Sequence, residues 1–279
     1  MADTPIPAAA PKRNVYAVRA SSWGSLFDCA MRWYGEHMLG IRKPAGLRAH
    51  LGTAIHASTA AFDASRLPGA APVSVDDAAE VFVQTLHNLD RDVDYRQDDL
   101  TVRDAERIGL TLHSRYCHEL SPTMQFLSVE QTLKPLDIDC GGGMVVRLTG
   151  TMDRARVVQA TAGIVIPDVK TGARVIENGA AKTQGRAAQI GTYQLMYEAT
   201  EGVATAGGQV LALQTSGKPQ VMASKVFDAR RVMVGTYNTP GLIEHAAAMF
   251  KTGMFPPNPQ SMLCSKRYCS RWATCPFHD

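Results

Sequence analysis

The chain has 279 residues, 45% hydrophobic and 20% charged, which is enough apolar material for a sizeable core and excludes a globally disordered polymer. At about 150 residues per domain the length corresponds to roughly 1.9 domains, so one or two remain open. The net charge of +3, from 29 Lys and Arg against 26 Asp and Glu, is too small to announce a polyanion binder.

No run approaches the roughly 18 apolar residues of a membrane span. Residues 1–14, rich in Pro and Ala without a continuous apolar stretch, read as a flexible leader and not a secretion signal. The expected compartment is therefore a reducing one, the cytoplasm, where clustered cysteines favour metal over disulfides.

Ser21-Ser22 opens a predicted helix to about Gly40, with Phe27, Ala30, Met31, Tyr34 and Met38 at helical spacing. A second helix, about Leu47 to Ser65, carries Leu51, Ile55 and Phe62 on its apolar side. Ser74 with Asp77, and Thr101 with Asp104, look like capping boxes for helices over 75–89 and 102–119. The period then changes. Residues 125–133, 144–158 and 162–169 read as three strands, with Asp139 and Gly141-Gly142-Gly143 turning a hairpin between the first two. A helix at 181–200, strands at 208–214 and 219–227, and a helix over 228–252 interrupted near Pro240 complete the pattern. This order predicts one mixed α/β core over 15–279, with a helical insertion at 72–120 and a cysteine-rich tail at 256–279. Charge divides the same way. Residues 72–107 hold ten acids and four bases, whereas 153–186 hold six bases and three acids. The second stretch attracts a polyanion and the first repels it.

Strand side chains alternate, so Asp168 and Lys170 share one face while Val169 takes the other. Alone, D-x-K is a common surface ion pair. If Asp153 lies on the neighbouring strand, however, the two carboxylates can share a hard cation such as Mg²⁺ or Mn²⁺, with Lys170 orienting a water. Gly52, one turn before His56, would let another element approach that imidazole closely. Gln189 and Tyr193 fall on one helix face. Glu130 is either a further acidic ligand or, more ordinarily, a solvated strand residue.

Three of the six cysteines, Cys264, Cys269 and Cys275, stand in the last sixteen residues, where an even spread would put roughly a third of one. A fourth ligand could be Cys29, Cys117 or Cys140, and Cys117 follows the apolar pattern of its helix. Three clustered thiolates with one distant partner suit a [4Fe–4S] cluster better than zinc, which usually takes two close knuckles. Zinc completed by His278 stays possible, and disulfides come third.

Taken in order, Ser22 to Cys29, Gly52-x3-His56, Gly150-x2-Asp153, Asp168-x-Lys170-Thr171-Gly172, Gln189-x3-Tyr193 and the terminal cysteines resemble the PD-(D/E)XK nuclease superfamily. Within it the likeness is to the RecB-like iron–sulfur exonucleases: CRISPR-associated exonucleases, the AddB nuclease domain and phage relatives. The resemblance implies a restriction-endonuclease-like mixed sheet flanked by helices and closed by a C-terminal iron–sulfur clasp. It also implies a metal held by His56, Asp153, Asp168 and the carbonyl of Val169, with Lys170 as catalytic lysine. Gln189 and Tyr193 would position DNA or the lysine, and Cys29, Cys264, Cys269 and Cys275 would carry the cluster. Arg154 and Arg186, in the basic stretch, are expected at the DNA backbone. The first cysteine gap, C-x4-C, is longer than the family's C-x2-C.

The implied activity is Mg²⁺- or Mn²⁺-dependent DNA exonuclease action in recombination, repair or phage DNA processing, on single strands or free ends. A structure-specific endonuclease and a non-catalytic DNA-binding subunit are the alternatives. No G-x4-G-K-[ST] loop is present, so unwinding falls to a helicase or recombination partner or is not needed.

Overall fold

The computed structural model describes residues 13–88 and 92–278. Most of the predicted leader, and the last residue of the helix predicted over 75–89, lie outside that range.

Strand β1 (Asn14–Arg19) opens the described chain, where the sequence pattern predicts none. A 3-10 turn (Ala20–Ser22) leads to helices α1 (Trp23–Asp28) and α2 (Ala30–His37). The single helix expected from Ser21 to Gly40 is thus broken at Cys29, which is extended at φ −148 and ψ 97. One extended residue resets the helical phase, so the stripe counted across it is displaced. Trp23, Leu26, Ala30 and Trp33 are buried, whereas Phe27 and Met38 are 41% and 43% exposed.

After the short strand β2 (Ala45–Gly46) comes α3 (Leu47–Ala64), close to the predicted span. Helix α4 (Val75–Leu86) starts at the full Ser74–Asp77 capping box. Strand β3 (Val93–Asp94) pairs with β2 in parallel. Helix α5 (Val102–Arg115) begins at Thr101, whose side chain accepts the Asp104 N–H, and ends in a π turn over Tyr116–Leu120.

Strands β4 (Gln125–Thr132), β5 (Leu136–Asp139), β6 (Met144–Thr149), β7 (Thr151–Val158) and β8 (Gly163–Gly172) follow. The glycine-rich turn joins β5 to β6, not β4 to the next strand. The long strand expected at 144–158 is two strands in different sheets, parted at Gly150. A Cβ at Gly150 would sit 2.8 Å from a Tyr193 ring carbon and 3.2 Å from Ala20 Cβ, so only glycine lets the chain turn between sheets here. A small hairpin of β9 (Ile176–Glu177) and β10 (Ala180–Ala181) precedes α6 (Ala187–Glu201), β11 (Thr205–Gln214) and β12 (Gln220–Ala223). Helices α7 (Arg230–Val234) and α8 (Leu242–Thr252) flank the predicted interruption at Pro240.

The five-stranded sheet has the order β12-β11-β8-β7-β4, and a second sheet the order β1-β6-β5. Strand β8 is antiparallel to β7 and parallel to β11, so α6 is the crossover that parallel pairing requires. Alternation along β8 and β11 sorts the core. Ile166 packs with Tyr193 and Met196 of α6, while Val169, Leu211 and Leu213 pack with Leu47, Leu51 and Ile55 of α3. Helices α4 and α5 back α3 through Phe82 and Leu112. The class is mixed α/β, as predicted. No helix among the described residues is long and apolar enough to cross a membrane.

Candidate active site

The β7–β8 ladder runs from Val158/Gly163 to Arg156/Val165. Further along, the Val169 N–H donates to Asp153 Oδ2 at 2.8 Å. A side chain on β7 thereby occupies the position of a ladder carbonyl, and the pair of strands presents acids where they meet α3. Asp153 does lie on the strand next to Asp168. His56 reaches this opening from α3, and its Nε2 lies 2.7 Å from the Val169 carbonyl. A carbonyl only accepts, so Nε2 carries the proton and a neutral ring presents a bare Nδ1 lone pair. That Nδ1 lies 3.5 Å from Asp153 Oδ2. Two lone-pair donors facing each other at this distance need a cation or a proton between them.

Gly52 performs the role its spacing suggested. A Cβ there would lie 2.6 Å from Thr171 Oγ1, so its absence brings the end of β8 against α3 one turn before His56.

The Asp168 side chain is 1% exposed, with Lys170 Nζ 2.6 Å from its Oδ2. That approach lacks hydrogen-bond alignment, and Oδ1 has no partner. Burial raises the pKa of Asp168, the lysine opposes the rise and Asp153 adds to it. An unsatisfied buried carboxylate is costly unless protonated or bound to an ion. Glu130 belongs to the same site. His56, Glu130 and Asp153 each offer a ligand atom within 4.8 Å of the others, the one such group among the described residues. Carboxylates and one imidazole fit Mg²⁺ or Mn²⁺.

Glu130 is a solvated strand residue, its side chain 46% exposed, and it also stands within ligand reach of His56 and Asp153. Its backbone has φ 48, a left-handed conformation inside a strand. Strand periodicity gives no sign of it. Desolvation raises the Glu130 pKa and the Asp153 charge raises it further, against Arg154.

Arg154, expected at the DNA backbone, does not face it. It is fully buried, with Nε 2.7 Å from Asp63 Oδ2, one NH1 bond of 3.1 Å to Glu130 and one NH2 bond of 3.3 Å to Thr59. Asp63 also accepts from the hydroxyls of Tyr116 and Ser121, each at 2.6 Å. The network ties α3, which carries His56, to β7, which carries Asp153. Asp63 is invisible to a sequence reading because nothing local marks a helical Asp as buried. Arg186 stands half-exposed as the N-cap of α6. Gln189 and Tyr193 share a face of α6, with Gln189 Nε2 donating to Tyr193 Oη at 3.3 Å. Burial raises the Tyr193 pKa, and the charges of Asp153 and Asp168 add to it.

Far along the chain, Cys29, Cys264, Cys269 and Cys275 line one cavity and are all free. The break at Cys29 brings its thiol there. Asn258 and Ser261 of the tail donate to the Asp28 carbonyl and carboxylate at 2.9 and 2.6 Å. No three cysteine sulfurs lie within 4.8 Å of one another among the described residues. His278, considered as a zinc ligand, is absent from this lining; it stacks on Trp272 and its Nε2 lies 2.6 Å from the Trp272 carbonyl. Cys117 is buried beside His113, and Cys140 sits in the β5–β6 turn.

No characterised relative matches the chain. A family model of the PD-(D/E)XK nuclease superfamily does, over residues 20–276, a span that takes in every residue gathered at the β7–β8 opening and the four cavity cysteines. The chain belongs to the PD-(D/E)XK nuclease superfamily.

Proposed function

We propose that the protein is a metal-dependent DNA exonuclease of the RecB-like branch, hydrolysing phosphodiester bonds in recombination, repair or phage DNA processing. The observation that carries this reading is the group of His56, Glu130 and Asp153, whose ligand atoms lie within 4.8 Å of one another, with the buried Asp168–Lys170 pair on the adjoining strand. His56, Asp153, Asp168 and the Val169 carbonyl would hold Mg²⁺ or Mn²⁺, with Glu130 in reach. Bound there, the ion supplies positive charge against the scissile phosphate and lowers the pKa of a water. Lys170, anchored by Asp168, orients that water and carries a compensating charge. Tyr193, held by Gln189, offers a hydroxyl to a phosphate or to the lysine.

The four cavity cysteines are assigned to a structural [4Fe–4S] cluster. A tetrahedral zinc site with Zn–S of about 2.3 Å needs sulfurs roughly 3.8 Å apart. No three cysteine sulfurs lie within 4.8 Å of one another among the described residues, and the cluster assignment rests on the four thiols lining one cavity. The other three thiols raise the Cys264 pKa, behind desolvation, as expected of neighbours around one cavity.

The test is cleavage of an end-labelled linear strand against a closed circle, with Mg²⁺, Mn²⁺ or EDTA. Wild type should release nucleotides from the linear substrate only, and Asp168→Ala and Lys170→Ala should abolish release. Unchanged activity in either variant would sink the assignment, and nicking of the circle would make the enzyme an endonuclease.

A further inference from the structure

Two adjoining open cavities, of ≈ 430 and ≈ 340 Å³, lie at the N-terminal end of α3 and share Lys43, Pro44 and Gln97. Each is within the size range of small-ligand sites. Three segments distant in sequence bring cations to their walls: Arg42 and Lys43, Arg96, and Lys266 with Arg267, all exposed. The lining carboxylates are Asp94 and Glu36. Five cations against two acids leave a local excess equal to the +3 of the whole chain. Arg96 and Lys266 have no ion-pair partner among the described residues.

Convergence of like charges costs energy unless something fixes the segments, and here something does. Asp98, its side chain 7% exposed, accepts the Arg48 N–H at 2.8 Å and lies 3.2 Å from Arg267. Gln97 donates to the Arg267 carbonyl at 3.2 Å, and Lys43 to the Lys266 carbonyl. The four residues between Cys264 and Cys269 are thus pinned to the 94–98 turn and to the start of α3. The Lys43 ammonium and the Arg267 guanidinium serve as pins, and the charged ends of Arg96 and Lys266 are left without an ion pair among the described residues. Tyr268 is exposed in the second cavity, with the Arg267 guanidinium 5.0 Å above its ring.

We propose that this cleft is a second nucleic-acid site, binding the phosphodiester backbone of a single strand beyond the bond to be cut, with Tyr268 stacking a base. The proposal rests on the nuclease reading for the direction of the strand toward the acids. Arg48, whose N–H is held by Asp98 beside the cleft, precedes His56 by eight residues on α3, a rise of about 12 Å along the helix axis. A single strand is favoured over a duplex because an exposed aromatic beside an arginine offers stacking that only an unpaired base can use.

The test is fluorescence anisotropy of the full chain with a labelled 20-nucleotide oligothymidylate in EDTA, across a salt series. Removing one cation from the phosphate backbone should flatten the logarithmic salt slope by about 0.7. Arg96→Gln/Lys266→Gln, which breaks no ion pair, should therefore flatten it by about 1.4 and weaken binding about 25-fold at 0.1 M salt. Tyr268→Ala should weaken binding about 10-fold without changing the slope. Arg103→Gln/Arg107→Gln on α5 is the charge-matched control. Wild-type affinity and slope in the cleft variant would overturn the proposal, as would an equal loss in the control. A blunt 20-base-pair duplex binding tighter than the strand, with Tyr268→Ala neutral, would overturn the single-strand assignment. The measurement needs no catalysis. A wild type that binds but does not cleave in Mg²⁺ refutes the nuclease reading, whereas one that cleaves while the cleft variant binds normally refutes this proposal alone.

Discussion

Replacing Arg154 by Met would leave Asp63 charged where no solvent reaches it. Both side chains are 0% exposed, and their 2.7 Å contact is the buried joint between α3 and β7. Removing one partner of such a pair costs about 3–5 kcal/mol, mostly the penalty of the abandoned charge. The hydroxyls of Tyr116 and Ser121 would still solvate Asp63, which places the expected loss near the lower end, about 3 kcal/mol. Arg154→Met/Asp63→Leu removes both charges and should recover most of that loss, measured by urea denaturation in EDTA. The joint also sets how His56 and Asp153 face each other, since Asp153 adjoins Arg154 and His56 lies two turns before Asp63. Supporting residues of this kind typically carry 10–100-fold in metal affinity. The stable double variant should therefore bind Mn²⁺ at least about 10-fold more weakly by calorimetry. Wild-type Mn²⁺ affinity in that variant would refute the positioning argument, and a single-variant cost under about 1 kcal/mol would refute the burial argument.

Glu130→Gly removes a side chain from a left-handed position, φ 48, and relieves about 1 kcal/mol of strain, against an ion pair worth about as much. Its melting temperature should stay at or above wild type while Mn²⁺ affinity falls; a lower melting temperature with unchanged affinity would make Glu130 purely structural. For Asp168 the folded pKa is raised by burial, so its contribution is fully present below the usual carboxylate range and lost as pH rises through the raised value. Asp168→Asn should accordingly stabilise the metal-free protein at pH 7, with the gain vanishing toward pH 3, and Mg²⁺ should raise the melting temperature of wild type only. Anaerobic protein should be brown with about four iron and four sulfide per chain, a content lost in Cys29→Ser and kept in Cys117→Ser; a colourless preparation with one zinc would exclude the cluster. Burial pushes the Cys117 thiol up to about 12, so native protein at pH 8 should leave that residue unalkylated by iodoacetamide.

What the sequence reveals and what it hides divide along a physical line. Periodicity and caps act within a few residues, and they locate α3, the Ser74 cap of α4, and the Asp168–Lys170 face of β8. Gly52 is legible for a related reason: a missing side chain one turn before a histidine has few uses besides close approach, and Thr171 fills the gap. Gly150 is not legible that way. Its glycine signals close approach equally well, but the crowding group is Tyr193, more than forty residues away, and the strand pattern runs through it unbroken.

Cys29 and Arg154 mislead for the same reason. Helical spacing around Cys29 is continuous, and the groups around its extended backbone are the tail residues that hold Asp28 and share its cavity, some 230 positions on. The charge of Arg154 suggests a surface, because a lone arginine in a strand is usually solvated. Its burial depends on three elements meeting, α3 with Asp63, β4 with Glu130 and the π turn with Tyr116, and no single element announces the meeting. Both residues sit next to, or at, a position where a cation is proposed. A site that gathers like charges or thiols needs opposing groups or rigid supports drawn from elsewhere in the chain, so the supports are where local patterns carry the least information. The motif residues themselves, Asp153, Asp168 and Lys170, read correctly as neighbours because their geometry is fixed by adjacent strands, and strand alternation is the most local rule of all.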